Sequence, residues 1–351
     1  LGTQQSIEDR LLELGERSPE LTDDPESYHA LIDPGEFVFS PLTYSQARLL
    51  NSSPSKVGLI LGSDALGMAS MEKVLASALP LDPLGSEEIV LRDLPSHLTG
   101  KNLRRALTDI AQRQDRLGRS ASRIRIMAYQ RVGAWTPQEL CETVNAALEV
   151  CKAVESTSRR IEMRVVFMLG PEAIRSWLAL EPGYRERLEN RIGAVIHLRR
   201  WNLAGVRQRL ELMDKVDNED ACSVVLRSTG GWPWLLDLLM SRVGKNKDPR
   251  PAAMQLETEL ASSKGELRDR MVFMYPLTEN SLEDLLLRQI VTDGPVPQEL
   301  MVPDLLLGKD AENVNAEYLS RALQMLELLR LVEFSPESGY RAESVTQRFL
   351  A

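Results

Sequence analysis

An apolar run that ends in glycine precedes a segment whose glycine spacing is suited to phosphate chemistry. The run extends from Val57 to Gly62, and a second glycine, Gly67, follows five residues later. Loops of the type G-x-x-x-x-G-K-[ST] use such glycines to wrap backbone N–H groups around phosphates, while the lysine and the hydroxyl bind phosphate and Mg²⁺. Here Met68 stands at the lysine position and Ala69 at the hydroxyl position. The candidate loop residues are Gly62, Ser63, Asp64, Ala65, Leu66, Gly67, Met68 and Ala69.

A second element of nucleotide hydrolysis is also missing from the sequence. Hydrolysis in such folds uses an acidic pair at the end of the third strand, where one carboxylate holds Mg²⁺ and the other polarises the attacking water. The matching run ends at Gln130, and no carboxylate follows before Trp135. Asp64 adds a carboxylate to the loop itself, which disfavours bound phosphate. We therefore predict that the chain is not an enzyme, with no catalytic residue, no metal site, and neither ATP nor ADP as a cofactor.

The other candidates for metal binding or nucleophilic catalysis are few. They are Cys141, Cys151, Cys222, His29, His97 and His197. None lies within two to five residues of another, so no zinc-type cluster is predicted, and the cysteines are expected to be buried thiols of a reducing compartment. The sequence has no signal-peptide pattern and no apolar run near the ~20 residues that a membrane span needs. A cytoplasmic, non-membrane protein is predicted, and a start at Leu1 rather than Met indicates a fragment or a trimmed start.

Short apolar runs alternate with amphipathic helical patterns in the first two thirds of the chain. The strand-like runs are Val57 to Gly62, Glu87 to Leu94, Arg123 to Tyr129, Met163 to Gly170 and Gly193 to Leu198. A Thr136-Pro137 pair with Glu139 in the following turn predicts a helix start, with the helix running to about Val154. Strands that alternate with helices of ~10–20 residues predict a doubly wound α/β fold with a parallel sheet.

The pattern changes after about residue 244. A charged, proline-bearing segment follows, and then helical patterns at Leu282 to Val291, at Glu299 to Leu307 and around Leu319 to Leu331. They precede a hairpin-like stretch at 335–344, and this order is typical of a winged helix. Residues 278–351 hold 6 basic and 13 acidic side chains. Since phosphate would be repelled, we expect protein docking or an intramolecular role for this domain rather than DNA binding.

Charge is distributed unevenly along the chain. Residues 1–50 hold 3 basic and 10 acidic side chains, with a short helix predicted at Ile7 to Leu14, and form a candidate docking arm. The stretch Lys101 to Arg131 holds nine basic residues against two acidic ones. It is either a nucleic-acid surface or a solvated helix face, and we favour the solvated face. The candidate nucleic-acid contacts are Lys101, Arg104, Arg105, Arg113, Arg116 and Arg119.

Over roughly residues 40–350 the chain resembles the AAA+/STAND class of P-loop ATPases. The matching elements are a degenerate Walker A at Gly62 to Ala69, a degenerate Walker B at Ile124 to Gln130 and a sensor-1-like strand at Arg164 to Leu169. The most specific match is Thr229 to Pro233, because Gly-Gly-x-Pro opens a lid helix in that class. The resemblance implies that Gly230, Gly231 and Pro233 form a lid motif near the nucleotide region.

The resemblance and the composition together predict four parts of the chain. They are an acidic N-terminal segment at 1–50, a P-loop-like α/β core at 51–200, a helical lid at 201–277 and a winged-helix-like domain at 278–351.

Three functions are compatible with these patterns. We favour a catalytically inactive, ATPase-like structural or regulatory subunit that binds protein partners, such as an active ATPase homologue or a larger assembly. The alternative is a nucleic-acid-associated protein of the same class, in replication, transposition or defence, that contacts DNA through Lys101 to Arg131. A third hypothesis is an NTPase with non-standard residues, which predicts Mg²⁺-dependent turnover that replacing Asp64 changes.

Overall fold

The computed structural model describes residues 47–48, 50, 53–68, 71, 75, 87–117, 123–213, 215, 217–244, 247–262, 267, 275–297 and 316–350. The chain divides into two compact units. The first unit comprises Leu1–Gly62 and Met68–His197, and the second comprises Ser63–Gly67 and Leu198–Ala351. Within the described residues, the helices are too short or too polar to span a lipid bilayer.

The first unit contains a five-stranded parallel sheet. Its strands are β1 (Val57–Leu61), β2 (Glu87–Leu94), β3 (Arg123–Val132), β4 (Ile161–Leu169) and β5 (Ala194–His197). The strand order is β2-β3-β4-β1-β5, and every neighbouring pair is parallel. All five residues of β1 are buried, which explains why this strand reads as a continuous apolar run rather than an alternating one. The predicted α/β fold of the P-loop NTPase type is confirmed.

The strand order reverses direction around β1. The chain crosses from β1 to the far edge at β2, returns through β3 and β4, and then passes β1 to reach β5. In open α/β sheets, ligands bind at such a switch point, outside the carboxyl ends of the strands. The Gly62 to Ala69 segment follows β1 directly, so the topology places the candidate loop where a ligand site is expected.

Among the described residues of the first unit, four helices with complete bounds connect the strands. They are α1 (Gly100–Leu117), α2 (Pro137–Thr157), α3 (Pro171–Leu178) and α4 (Pro182–Glu189). Helices α1 and α2 pack against each other, and α2 also packs against β4 and β1. Met71 and Leu75, between β1 and β2, are helical and buried.

Helix α2 begins where the sequence predicts. Thr136 is its N-cap residue, and its hydroxyl accepts a hydrogen bond from the Glu139 N–H at 3.2 Å. The Glu139 carboxylate in turn accepts one from the Thr136 N–H at 2.8 Å. This backbone hydrogen bond and that from the Thr136 hydroxyl lower the pKa of Glu139. The reciprocal pair satisfies two N–H groups at the helix start, and the helix extends to Thr157, three residues beyond the predicted end.

Four cationic side chains surround one carboxylate at the amino-terminal edge of the sheet. Lys56 Nζ lies 2.9 Å from Glu162 Oε1, and Arg164 Nε lies 3.0 Å from the same oxygen. Arg123 and Arg125 approach Oε2 at 2.8 and 3.7 Å. Arg164 also donates to the carbonyl oxygens of residues 50 and 53 at 3.0 and 3.1 Å. This Glu162 cluster therefore fixes the approach of the chain to β1.

The second unit is mainly helical. The helices that lie within the described residues of this unit are α5 (Leu203–Leu212), α6 (Glu219–Thr229), α7 (Pro233–Arg242), α8 (Arg250–Leu260), α9 (Leu282–Asp293), α10 (Ala316–Leu328) and α11 (Ser344–Leu350). Strands β6 (Val332–Ser335) and β7 (Gly339–Ala342) form an antiparallel hairpin that begins three residues before the predicted stretch at 335–344 and ends two residues before its end. Val296 pairs with Tyr340 beside it. The helix expected at Glu299 to Leu307 lies outside the described residues, so the winged-helix classification stays a prediction.

Candidate functional site

The backbone of the candidate phosphate loop is hydrogen-bonded to the protein itself. The Gly62 N–H donates to the Leu169 carbonyl at the end of β4, at 3.2 Å. The next residues form a single 3₁₀ turn, in which the N–H groups of Leu66 and Gly67 donate to the Ser63 and Asp64 carbonyls at 3.0 Å each. Gly67 has φ 88°, a left-handed conformation that favours glycine. Because these three N–H groups are engaged, they are not directed at a phosphate in this conformation.

The side chains of the loop are mostly buried and apolar. Ala65, Leu66 and Met68 are 3–4% exposed, and Asp64 is exposed. Met68 therefore places a buried thioether where phosphate chemistry needs a lysine ammonium group. The Ser63 hydroxyl is buried and has no hydrogen-bond partner within the described part of the chain. Ala69 lies outside the described residues.

The lid-motif residues of the second unit lie in a tight backbone crossing. Gly230 and Gly231 both have positive φ, at 59° and 73°. The Trp201 N–H donates to the Gly231 carbonyl at 2.7 Å, and a Cβ on Gly231 would lie 2.1 Å from the Trp201 carbonyl oxygen. Position 231 therefore requires glycine, because its φ is positive and because a Cβ atom would collide with the Trp201 backbone.

Pro233 begins α7 and lies beside the loop turn. A Cβ placed on Gly67 would be 3.9 Å from the Pro233 Cβ. The structure thus brings together two sequence elements that were predicted separately, the second loop glycine and the lid proline.

A small apolar cavity lies next to this contact. Aromatic and aliphatic side chains line most of it, including Ala65, Trp232, Trp234, Tyr275 and Phe349. Its volume of about 30 Å³ holds roughly two water molecules. Nucleotide-sized ligands occupy pockets of about 300–1,000 Å³, so this cavity is a packing void and not a nucleotide pocket.

Gln130 lies two residues before the end of β3, at the position where we expected, from the sequence, the carboxylate of a hydrolytic site. It is fully buried, and its Nε2 donates to the carbonyl oxygens of Pro95 and Leu98 at 2.6 and 2.9 Å. These carbonyls belong to the connection between β2 and α1. The amide therefore fixes this connection, a role for which a carboxylate lacks the donors. In the sequence, the only indication of this role is a glutamine directly after the apolar run of β3.

Replacing Gln130 by glutamate should lower the free energy of unfolding by about 2 kcal/mol, because a carboxylate faces two carbonyl oxygens without a proton to donate. Burial raises the pKa of such a carboxyl group, so stability is lost as pH rises above its unfolded value of ~4.3. Urea unfolding at pH 4.5 and pH 7 measures both effects. Gln112→Glu on exposed α1 is the control and should stay within about 0.5 kcal/mol of the parent. A Gln130 variant as stable as this control would contradict the assignment.

Glu343 is a buried carboxylate that joins three parts of the second unit. Its Oε2 accepts hydrogen bonds from Trp232 Nε1 at 3.1 Å and from the N–H groups of Val345 and Thr346 at 3.0 Å each. Its Oε1 lies 2.9 Å from Arg200 Nη1, which also donates to the Gly230 carbonyl at 3.1 Å. The side chain is 1% exposed. This network, which the sequence did not reveal, ties the lid motif to the start of α11.

The cationic residues of α1 are displayed on its surface. Lys101, Arg104, Arg105, Arg113 and Arg116 are all exposed. Arg104 forms an ion pair with Glu149 of α2, whereas the other four form no ion pair within the residues that the structure describes. Arg119 lies outside the described residues. The buried side of the helix carries Leu103, Leu107 and Ala111, in agreement with a solvated basic face above an apolar one.

The described residues show little other catalytic chemistry. Among them, no group of three or more histidine, cysteine or acidic side chains is arranged to hold a metal ion. All three cysteines are buried. Burial raises the pKa of the Cys151 thiol to about 12 and that of Cys222 to about 11, so neither forms a thiolate nucleophile near neutral pH.

Comparison with known proteins finds similarity only to solved structures. No protein-family model matches the sequence, and no curated protein matches it. The Walker-type ATPase PABY2304 of Pyrococcus abyssi is 12% identical, with 87% of this chain and 94% of that chain covered and a TM-score of 0.49. The Aeropyrum pernix ORC2 protein in its ADPNP–ADP complexes is 14% identical, with 90% and 95% covered and a TM-score of 0.47.

A third structure, the Aeropyrum pernix ORC1 protein in complex with DNA, is 12% identical, with 95% of this chain and 97% of that chain covered and a TM-score of 0.38. Similarities at this level do not identify a family. The topology itself establishes an α/β fold of the P-loop NTPase type followed by a helical C-terminal region.

Proposed function

We propose that this chain is an ATPase-like protein of AAA+/STAND type that does not hydrolyse nucleotide and that acts as a structural or regulatory subunit through protein contacts. The observation that carries the proposal is Gln130. Near the end of β3, where a catalytic carboxylate would be needed, a fully buried amide donates to two backbone carbonyls. Replacing Gln130 by a catalytic carboxylate would remove the hydrogen bonds that hold the connection between β2 and α1.

The conformation of the loop after β1 gives independent support. Met68, at the position of the motif's lysine, is buried, and the N–H groups of Leu66 and Gly67 donate hydrogen bonds within the turn. A bound triphosphate would have to be compensated by backbone donors alone, without a lysine and without a carboxylate for Mg²⁺. Two separate elements of hydrolysis are therefore replaced by packing.

Features of the second unit support a role in protein contacts. Met254, Tyr318 and Phe334 are large apolar side chains that are 60%, 54% and 51% exposed. Phe334 packs against the buried Tyr340 ring on the hairpin, with ring centroids 4.9 Å apart, so one exposed aromatic ring is held at the surface by a buried one. Aromatic side chains are enriched at protein interfaces. The acidic excess of residues 278–351 favours a partner with a basic surface.

Steady-state turnover of ATP and GTP with Mg²⁺ tests the absence of hydrolysis. We expect no phosphate release above the background of a mock-purified sample, and no change in Asp64→Ala. Turnover that follows the protein through purification and changes in Asp64→Ala would contradict the proposal and establish the enzyme hypothesis instead.

The exposed cations of α1 favour nucleic-acid binding as a second candidate function. Lys101, Arg105 and Arg116 fall within about 60° of one another around the helix, at ~100° per residue. None of them forms an ion pair within the described residues. Such a row is able to neutralise successive phosphates of a nucleic-acid backbone.

Reversing Arg105 and Arg116 to glutamate tests this candidate. If the row binds DNA, affinity at low salt should fall at least tenfold, and the slope of log affinity against log salt should decrease by about 2. Arg92→Glu with Arg187→Glu, also exposed on the first unit, is the charge-matched control. Arg104 is left intact because its loss would also break its ion pair with Glu149. If the parent does not bind DNA at low salt, this candidate function is removed.

A further inference from the structure

Helix α10 is followed by an arginine in a backbone conformation that glycine usually adopts. The helix extends to Leu328, and the N–H groups of Arg330 and Leu331 then donate to the carbonyl oxygens of residues 327 and 326 at 3.0 Å each. Arg330 has φ 61°, and within the described residues only it and Asn280 combine a positive φ with a side chain. Glycine, and less often asparagine, favours this left-handed position after a helix. Since strain of this kind persists mainly where a function needs it, the Arg330 side chain is a candidate functional group.

The Arg330 guanidinium group lies close to two other cations. Its Nε is 3.5 Å from the carbonyl oxygen of Leu198, which directly precedes Arg199 and Arg200 in the chain. A contact of this length is at most a weak hydrogen bond. Burial lowers the pKa of Arg330, and the positive charges of Arg199 and Arg200 lower it further. The surroundings of Arg330 therefore disfavour its charge instead of compensating it.

The carboxylates nearby do not contact Arg330. Glu327 and Glu333 raise the pKa of Arg330, but less than burial and the two arginines lower it. Glu333 pairs with Arg200 instead, and Glu327 forms no ion pair within the described part of the chain. Arg199 is exposed and likewise has no ion pair there. The guanidinium groups of Arg199 and Arg330 are thus left without a carboxylate in contact.

We propose that Arg199 and Arg330 form a binding site for the dianionic phosphoryl group of a small molecule. A guanidinium group presents its N–H donors in a planar fork that matches two oxygens of such a group. Two guanidinium groups supply the two positive charges that balance a phosphate monoester, whose charge is about −1.5 to −2 at pH 7. A bound dianion would also offset the repulsion between Arg330 and its cationic neighbours. The site lies within the second unit, and the inference does not depend on the loop after β1.

The charge of the surrounding segment favours a small ligand over a nucleic acid. Residues 278–351 hold 6 basic and 13 acidic side chains. A long polyanion is repelled by such a segment beyond the two arginines, whereas a single phosphoryl group interacts mainly with the guanidinium groups that contact it. A small phosphorylated molecule is therefore the ligand class that we assign to this site.

Thermal unfolding of the full chain in millimolar inorganic phosphate at pH 8 tests the proposal, with sodium chloride at equal ionic strength as the reference. We expect phosphate to raise the midpoint of the parent by several degrees above the reference, because the anion binds the folded site. Arg330→Gln and Arg199→Gln should each reduce this rise at least threefold. Lys247→Gln, which removes one exposed charge of the same unit, is the matched control and should keep the full rise. Equal midpoints of the parent in phosphate and chloride would overturn the proposal.

Arg330→Gly separates phosphate binding from a purely structural role of the side chain. Glycine adopts φ 61° without strain, so this variant should fold and should lose the rise in phosphate. A rise retained in Arg330→Gly would overturn the proposal whatever the stability of the variant, since the phosphate would then bind elsewhere. DNA binding at low salt that Arg330→Gln abolishes, in a parent that does not respond to phosphate, would also overturn it and would identify nucleic acid as the ligand.

Discussion

Replacing Glu343 by alanine should lower the free energy of unfolding by about 3–4 kcal/mol. The substitution leaves the Arg200 guanidinium without its buried partner and removes the acceptor for Trp232 Nε1 and for two N–H groups of α11. Removing one member of a buried ion pair typically costs about 3–5 kcal/mol. Because Arg200 keeps a second partner in Glu333, we place the expected cost at the lower end of that range.

Glu333 provides the matched control for this prediction. It pairs with the same guanidinium, but its side chain is 64% exposed. Glu333→Gln should therefore cost less than about 1 kcal/mol. Urea unfolding followed by tryptophan fluorescence is suitable, because three of the five tryptophans, Trp201, Trp232 and Trp234, belong to the second unit. Equal losses for the two variants would contradict a buried hub at Glu343.

Replacing Glu162 by glutamine should cost about 3 kcal/mol at pH 7. Burial raises the pKa of Glu162, but the hydrogen bond from Lys56 and the charges of Arg164, Lys56 and Arg125 outweigh it and lower the pKa to about 2. The ordinary value is 4.5. A difference of this size corresponds to about 3 kcal/mol at ~1.4 kcal/mol per pKa unit. The side chain is only 13% exposed, so screening by water is weak.

The stabilisation by Glu162 should depend on pH with a defined sign. Because the folded pKa lies below the unfolded one, the contribution is fully present above pH 4.5 and is lost as pH falls toward 2. The stability difference between parent and Glu162→Gln should therefore shrink from about 3 kcal/mol at pH 7 to about 1.5 kcal/mol at pH 3. Glu155→Gln, exposed on α2, should show a difference below about 0.5 kcal/mol at pH 7. A Glu162 difference that does not change with pH would contradict the assignment.

The sequence predicted those strands of the sheet that are buried on both faces, because such strands appear as continuous apolar runs. The apolar runs of β1 and β4 predicted their strands and the α/β class. The end of β3 was less visible, because Gln130 and Arg131 interrupt the apolar run. The strand nevertheless continues to Val132, since its pairing with β4 extends that far. Backbone pairing, which the sequence does not display, set this boundary.

The sequence located the backbone elements around the candidate site, but it did not reveal the side-chain contacts between them. The glycine spacing located the turn after β1, and the Gly-Gly-Trp-Pro motif located the start of α7. The bond between Trp232 and Glu343 joins residues 111 positions apart, and Gln130 reaches a carbonyl 35 positions away. Such pairs form only through tertiary packing. The residue types at positions 130, 232 and 343 do not indicate which distant residue each will contact.

Calorimetric titration of the purified chain with ATP, ADP and GTP, with and without Mg²⁺, tests the central claim most directly. The proposal predicts no saturable heat and no shift in thermal midpoint up to millimolar nucleotide, because the N–H groups of Gly62, Leu66 and Gly67 already donate to the protein and Met68 stands at the lysine position. Saturable binding with a stabilisation of several degrees would contradict it. The loop would then hold a ligand, and the fold would act as a nucleotide sensor rather than as a nucleotide-free scaffold.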